Sequence, residues 1–191
     1  MFSKIIFILL ALTACLTNVF GNPLDIEVRE DNEIRDIEAV AATEHHHVQK
    51  LVNRCGHGHP VFLYEGHSTP RGSGTINGPV RGGVAWMAGF DHCQSSGVNC
   101  GIVEFTLTDP HGKGEQNAAD YSLLDGPGLG NHKYKYKMNF AFTGSCTKHA
   151  PGPCTGDSAA KCPGAYLDDH SEGGAPVQCF AKNTGIKITF C

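Results

Sequence analysis

"YKYKMNFAF", Tyr134 to Phe142, decides the fold class of this chain. Tyr134, Tyr136, Met138, Phe140 and Phe142 fall on one side of a period-two pattern, with Lys135 and Lys137 on the other. An extended strand sends alternate side chains to opposite faces, so the pattern predicts one buried and one wet face. "IKITF" repeats it with Ile186, Ile188 and Phe190. Further short runs of β character are "VQKLVN", "PVFLYEG", "GGVAWM" and "GIVEFTLTD". The 24 glycines and 10 prolines punctuate the chain every few positions, and no long helical periodicity occurs. Short strands with frequent turns predict an all-β sandwich.

The sandwich is expected over residues 43–191, as one domain of roughly 150 residues, enough to bury a core. Ahead of it, "MFSKIIFILLALTACLTNVFG" has Lys4, an apolar run and a Val19-Phe20-Gly21 end. Residues 1–21 therefore read as a secretory signal whose apolar run is too short to span a bilayer. "LTAC", Leu12 to Cys15, also resembles a lipoprotein box. Residues 22–42 carry seven acids and two arginines, and read as an acidic linker or pro-segment. Removing Lys4, Arg29 and Arg35 from fifteen Lys/Arg, and those seven acids from nineteen, leaves twelve of each in the domain. A near-neutral domain lacks the basic excess that nucleic acid requires. Without a second apolar stretch, no membrane partner is expected.

Cysteine sets the compartment. Apart from Cys15 there are eight: Cys55, Cys93, Cys100, Cys146, Cys154, Cys162, Cys179 and Cys191. An even count behind a secretory signal predicts up to four disulfides and a secreted, extracellular protein. No C-x2-C pair supports a structural zinc site. The residues alone leave about 105 pairings open.

The order of motifs resembles the thaumatin-like family, the osmotins and related pathogenesis-related proteins, in its small form. "ATEHHHVQKLVNRC" looks like the family's opening strand, and "GIVEFTLTD" like its "LAEFTLN" strand. "AADYSLLDGPGLG" is similar to "FYDVSLVDGFNLP", and "KCPGAYLDD" to "CPDAYSYPKDD". "GIKITFC" matches the closing strand, and the resemblance covers Ala42 to Cys191. The general look is that of small secreted fungal relatives. The domain has half of the sixteen cysteines of large members, and the chain has no room for their second domain. The resemblance implies the pairs Cys55–Cys191, Cys93–Cys100, Cys146–Cys179 and Cys154–Cys162.

It also implies an acidic cleft. Position by position, the cleft acids fall on Glu104, Asp120, Asp125, and Asp168 or Asp169. The family's arginine has no true counterpart, and Arg81, upstream of Trp86, is the nearest candidate. Such acids suit glycoside hydrolysis when one carboxyl keeps its proton and another ionises. Glu104 lies among Val103, Phe105 and Leu107 in sequence, which predicts it as the acid, with Asp120 and Asp125 activating water. The competing reading is that these acids serve turns, since Asp125 begins a "DG" pair. Tyr64, Trp86, Tyr121 and Tyr166 are candidate platforms for a sugar chain. Some family members cleave β-1,3-glucan weakly and others only bind it. The resemblance thus implies a cell-wall polysaccharide partner of β-glucan type, with an antifungal or wall-remodelling role.

"TEHHHVQKLVNRCGHGHP", Thr43 to Pro60, holds five histidines. As a strand it puts His45 and His47 on one face, and His57 and His59 repeat the spacing after a turn. Two such pairs brought together would hold Cu²⁺ or Zn²⁺. The competing reading is an edge strand made polar by imidazoles. No G-x-S-x-G, phosphate loop or dinucleotide fingerprint occurs, and no cofactor is expected. The leading expectation is a monomeric glucan-binding protein. The alternatives are a non-catalytic interaction protein presenting loops such as "HSTPRGSGTINGP", and a histidine-based metal binder.

Overall fold

The computed structural model describes residues 44–191 apart from 113, 126–127, 129–130, 148 and 168–173. The leader and acidic segment expected over residues 1–42 lie outside the described residues, as do Asp168 and Asp169. Ten strands follow in order: β1 (His45–Asn53), β2 (His59–Tyr64), β3 (His67–Arg71), β4 (Gly74–Asn77), β5 (Val80–Ala88), β6 (Ile102–Leu107), β7 (Asn117–Ser122), β8 (Met138–Thr143), β9 (Val177–Cys179) and β10 (Gly185–Phe190). The only helical pieces among the described residues are 3₁₀ turns at Ser95–Gly97 and Gly144–Cys146. The all-β expectation holds.

The strands form two sheets. One has four strands in the order β4-β1-β10-β8, and the other six in the order β3-β2-β5-β6-β7-β9. β1 and β10 run parallel, and every other strand pair is antiparallel. Both sheets contribute to one core. Phe140, Phe142, Ile186 and Ile188 come from the first, and Phe62, Met87, Phe105 and Tyr121 from the second. Period-two alternation explains this directly. Along β6, Val103, Phe105 and Leu107 enter the core while Glu104 and Thr106 face the other way, half-buried. A smaller cluster of Val61, Trp86 and Ile102 packs on that outer face.

"YKYKMNFAF" keeps its alternation but not its full length as a strand. β8 begins only at Met138, yet Tyr136, Met138, Phe140 and Phe142 are buried and Lys135 and Lys137 exposed. The Tyr136 hydroxyl ties this approach to the six-stranded sheet. It donates to the Gly101 carbonyl at 2.8 Å and accepts from Met87 N at 3.2 Å. β3, within the stretch read as a loop, is fully exposed at a sheet edge. Pro70 is tolerated there because an edge strand has N–H groups that no neighbour needs.

All eight domain cysteines pair as the resemblance implies: Cys55–Cys191, Cys93–Cys100, Cys146–Cys179 and Cys154–Cys162. Cys55 follows β1 and Cys191 follows β10, so this bridge caps the parallel pair with a sequence separation of 136. Cys146 follows β8 and Cys179 ends β9, so the third bridge ties an edge strand of one sheet to an edge strand of the other. Cys93–Cys100 closes the loop that covers Trp86 and Ile102, where a Cβ on Gly97 would collide with both side chains. Each bridge contributes roughly 2–4 kcal/mol by restricting the unfolded chain. Four disulfides require an oxidising compartment, which places the folded domain outside the reducing cytosol. Among the described residues no helix is long and apolar enough to cross a membrane.

Candidate functional site

The outer face of the six-stranded sheet brings two of the expected acids together. Glu104 on β6 and Asp120 on β7 are register partners in an antiparallel pair. Directly opposed residues hold their Cβ atoms about 5 Å apart on one face of the sheet. Two carboxylates so placed repel, and the structure relieves this by keeping a proton. Burial, then the charge of Glu104, then a hydrogen bond with Glu104 push the Asp120 carboxyl up from 3.8 to about 8. At neutral pH Asp120 is therefore the protonated member of the pair.

This reverses the roles expected of the two residues. Val103, Phe105 and Leu107 flank Glu104 in sequence but face the core on the opposite side of the sheet. They build no apolar wall around Glu104, and the carboxyl that burial raises is Asp120 instead. Asp120 Oδ1 is buried without a hydrogen-bond partner among the described residues, as is Ser122 Oγ two positions along. An unpaired buried polar atom costs about 1–3 kcal/mol, a cost that a ligand hydroxyl would relieve.

The pair opens on a groove of about 400 Å³. Tyr166 forms one side, bridged to the strand through its backbone. Its N–H donates to the Tyr121 carbonyl at 2.9 Å, and the Leu123 N–H donates to the Tyr166 carbonyl at 2.8 Å. The ring sits against Gly174, where a Cβ would run into it. Burial, then Asp120 and Glu104, raise the pKa of the Tyr166 phenol, so it stays a neutral donor. Gly82, Gly83 and Val84 of β5 form the opposite side. The β5–β6 register slips between Val80 and Gly83, a bulge that re-aims the strand beside the acids. Gly83 has no room for a side chain, because a Cβ would lie 2.7 Å from both the ring and the carbonyl of Phe105. Consecutive glycines inside an otherwise strand-like run, "GGVAWM", are the signal that marks this wall in the sequence.

Other expected residues lie elsewhere. Asp125 is half-exposed at a separate depression, paired with Lys133 at 3.4 Å, and does not join the groove. Arg81 is exposed and lies outside the groove lining. Tyr121 is not available as a sugar platform. It is fully buried between the sheets, its hydroxyl donating to the Gly152 carbonyl at 2.7 Å and accepting from Phe140 N at 3.3 Å. Trp86 and Tyr64 are likewise interior, at 1% and 8% exposure. Tyr166 alone of the four aromatic candidates lines the acidic groove.

The histidines serve the sheet. His45 Nδ1 meets Asn77 Oδ1 and His47 Nδ1 meets Thr75 Oγ1, each at 2.9 Å, across the β1–β4 pair. His46, on the other face, is fully buried with its ring nitrogens on the Thr184 carbonyl and Glu44 Oε2. His57 stacks on Phe90, with centroids 4.3 Å apart. His59 begins β2. Among the described residues no three His, Cys, Asp or Glu converge as metal ligands. No family model matches this sequence, and neither a curated protein nor a solved structure matches it significantly.

Proposed function

We propose that this is a secreted, thaumatin-like polysaccharide-binding protein that takes a neutral glucan of the cell-wall β-1,3 type at the Glu104–Asp120 groove. The carrying observation is the opposed Glu104–Asp120 carboxyl pair, which lines one groove together with Tyr166. Such a pair offers an acceptor and a donor side by side, which is what a sugar hydroxyl needs, and the ring offers an apolar face. The motif order and the four disulfide pairs support the thaumatin-like reading. The disulfides support secretion.

Of the two uses of such a pair we assign binding rather than cleavage, because a protonated carboxyl opposite a second one presents a donor and an acceptor to a sugar hydroxyl. A pull-down on insoluble β-1,3-glucan, with Glu104→Gln beside the wild type, tests the reading. The wild type is retained and the variant is released. Equal retention of the two, or retention of neither, refutes it.

A further inference from the structure

We infer that the acid pair is one end of a longer trough, built to hold an extended oligosaccharide of three or more rings rather than a single sugar. The inference rests on the polysaccharide reading of the groove and adds a second half to it. It starts from sheet register. Leu63 pairs with Val84, Val84 with Glu104, and Glu104 with Asp120. β2, β5, β6 and β7 are consecutive neighbours, so these four side chains form one row across the outer face. All four are half-buried. With strands about 4.8 Å apart, the row is about 14 Å long, more than a disaccharide occupies.

The empty space follows the row. A second depression of about 420 Å³ lies over β2 and β5, beside the acidic one. Gly82 and Val84 line both, so the two adjoin across β5. At Gly82 the backbone is left-handed, with φ +55°, and a Cβ there would meet nothing within 4 Å. A side chain at this position would stand in the passage, and glycine leaves it clear.

The two halves differ in chemistry. The acidic half offers the proton-sharing pair and Tyr166. The far half has an apolar floor, Leu63 and Val84, resting on the Val61–Trp86–Ile102 cluster. Its polar walls are Glu65 and Ser68 on the β2–β3 hairpin, and Ser96 on the loop that Cys93–Cys100 closes. An apolar floor between hydroxyl and carboxyl walls suits a pyranose ring, which has C–H faces and a polar rim. The exposed β3 edge, held by its antiparallel pairing with β2, walls the trough.

Binding of β-1,3-gluco-oligosaccharides of two to six units, followed by calorimetry and by backbone amide NMR, tests this. Affinity rises about tenfold from the shortest to the longest, and the amides of Ser68 and Ser96 shift only with the longer ones. Ser68→Arg, which puts a long side chain into the far half, removes most of that rise. Glu104→Gln weakens binding at every length. Length-independent affinity with silent Ser68 and Ser96 amides, while Glu104→Gln still acts, overturns the trough and leaves the acidic groove standing. No binding at any length removes both. Shifts of those amides with an extended peptide but not with the sugars overturn the assigned ligand class.

Discussion

Replacing Asp120 with asparagine should make the protein more stable near neutral pH and no more stable in acid. Asparagine keeps the shape of a protonated aspartate and cannot ionise. In the wild type the folded-state carboxyl titrates near 8 against an ordinary 3.8. Between those values the folded state holds a proton that the unfolded state has lost. The folded state therefore binds more protons, and stability falls as pH rises. The contribution is fully present below about pH 4 and lost by about pH 8. At about 1.4 kcal/mol per unit the ceiling is roughly 5–6 kcal/mol, and water reaching the open groove reduces this to about 2–3 kcal/mol. Denaturant unfolding of both proteins at intervals from pH 4 to pH 9, disulfides intact, reads the difference. The gap should open with rising pH across that window and level off above it. Parallel curves with no divergence would refute the shared proton and the electrostatic account of the groove.

Two further perturbations probe the scaffold. Gly83→Ala drives a Cβ into the Phe105 ring and carbonyl and should cost about 1–3 kcal/mol in chemical denaturation, with glucan retention reduced because β5 must shift. A variant equal to wild type in both would show that the bulge is not held by that close approach. Replacing Cys55 and Cys191 together by serine opens the longest loop and should lower the unfolding free energy by about 2–5 kcal/mol, with the other three bridges intact by mass spectrometry. Unchanged stability would mean that β1 and β10 are held by pairing alone.

Large apolar alternation was the legible part of the fold. β8 and β10 stand out because Met138, Phe140, Phe142, Ile186, Ile188 and Phe190 all face one core. β7 hides because its outward positions are Ala118, Asp120 and Ser122, and Ala119 is small even on the buried side. β3 and β4 hide behind Pro70, Gly72 and Gly74, residues that read as loop and are tolerable only at sheet edges. The site divides the same way. Glu104 and Asp120 are found by motif, but their meeting is a matter of register between strands joined by a nine-residue connection, 108–116. A slip of one residue would send Asp120 into the core. Which carboxyl keeps the proton also depends on face, because the apolar neighbours of Glu104 in sequence lie across the sheet from it. Asp125 lies three residues past the end of β7 and pairs with Lys133 instead.

Carboxyl ¹³C NMR of Glu104 and Asp120, titrated over pH with and without a β-1,3-gluco-oligosaccharide, tests the central claim most directly. The account predicts a pair titrating with a raised step near pH 8 in the free protein, and both signals shifting when the sugar saturates the groove. Ordinary acidic titration of both carboxyls, or sugar-induced shifts at Asp125 and none at this pair, would contradict it.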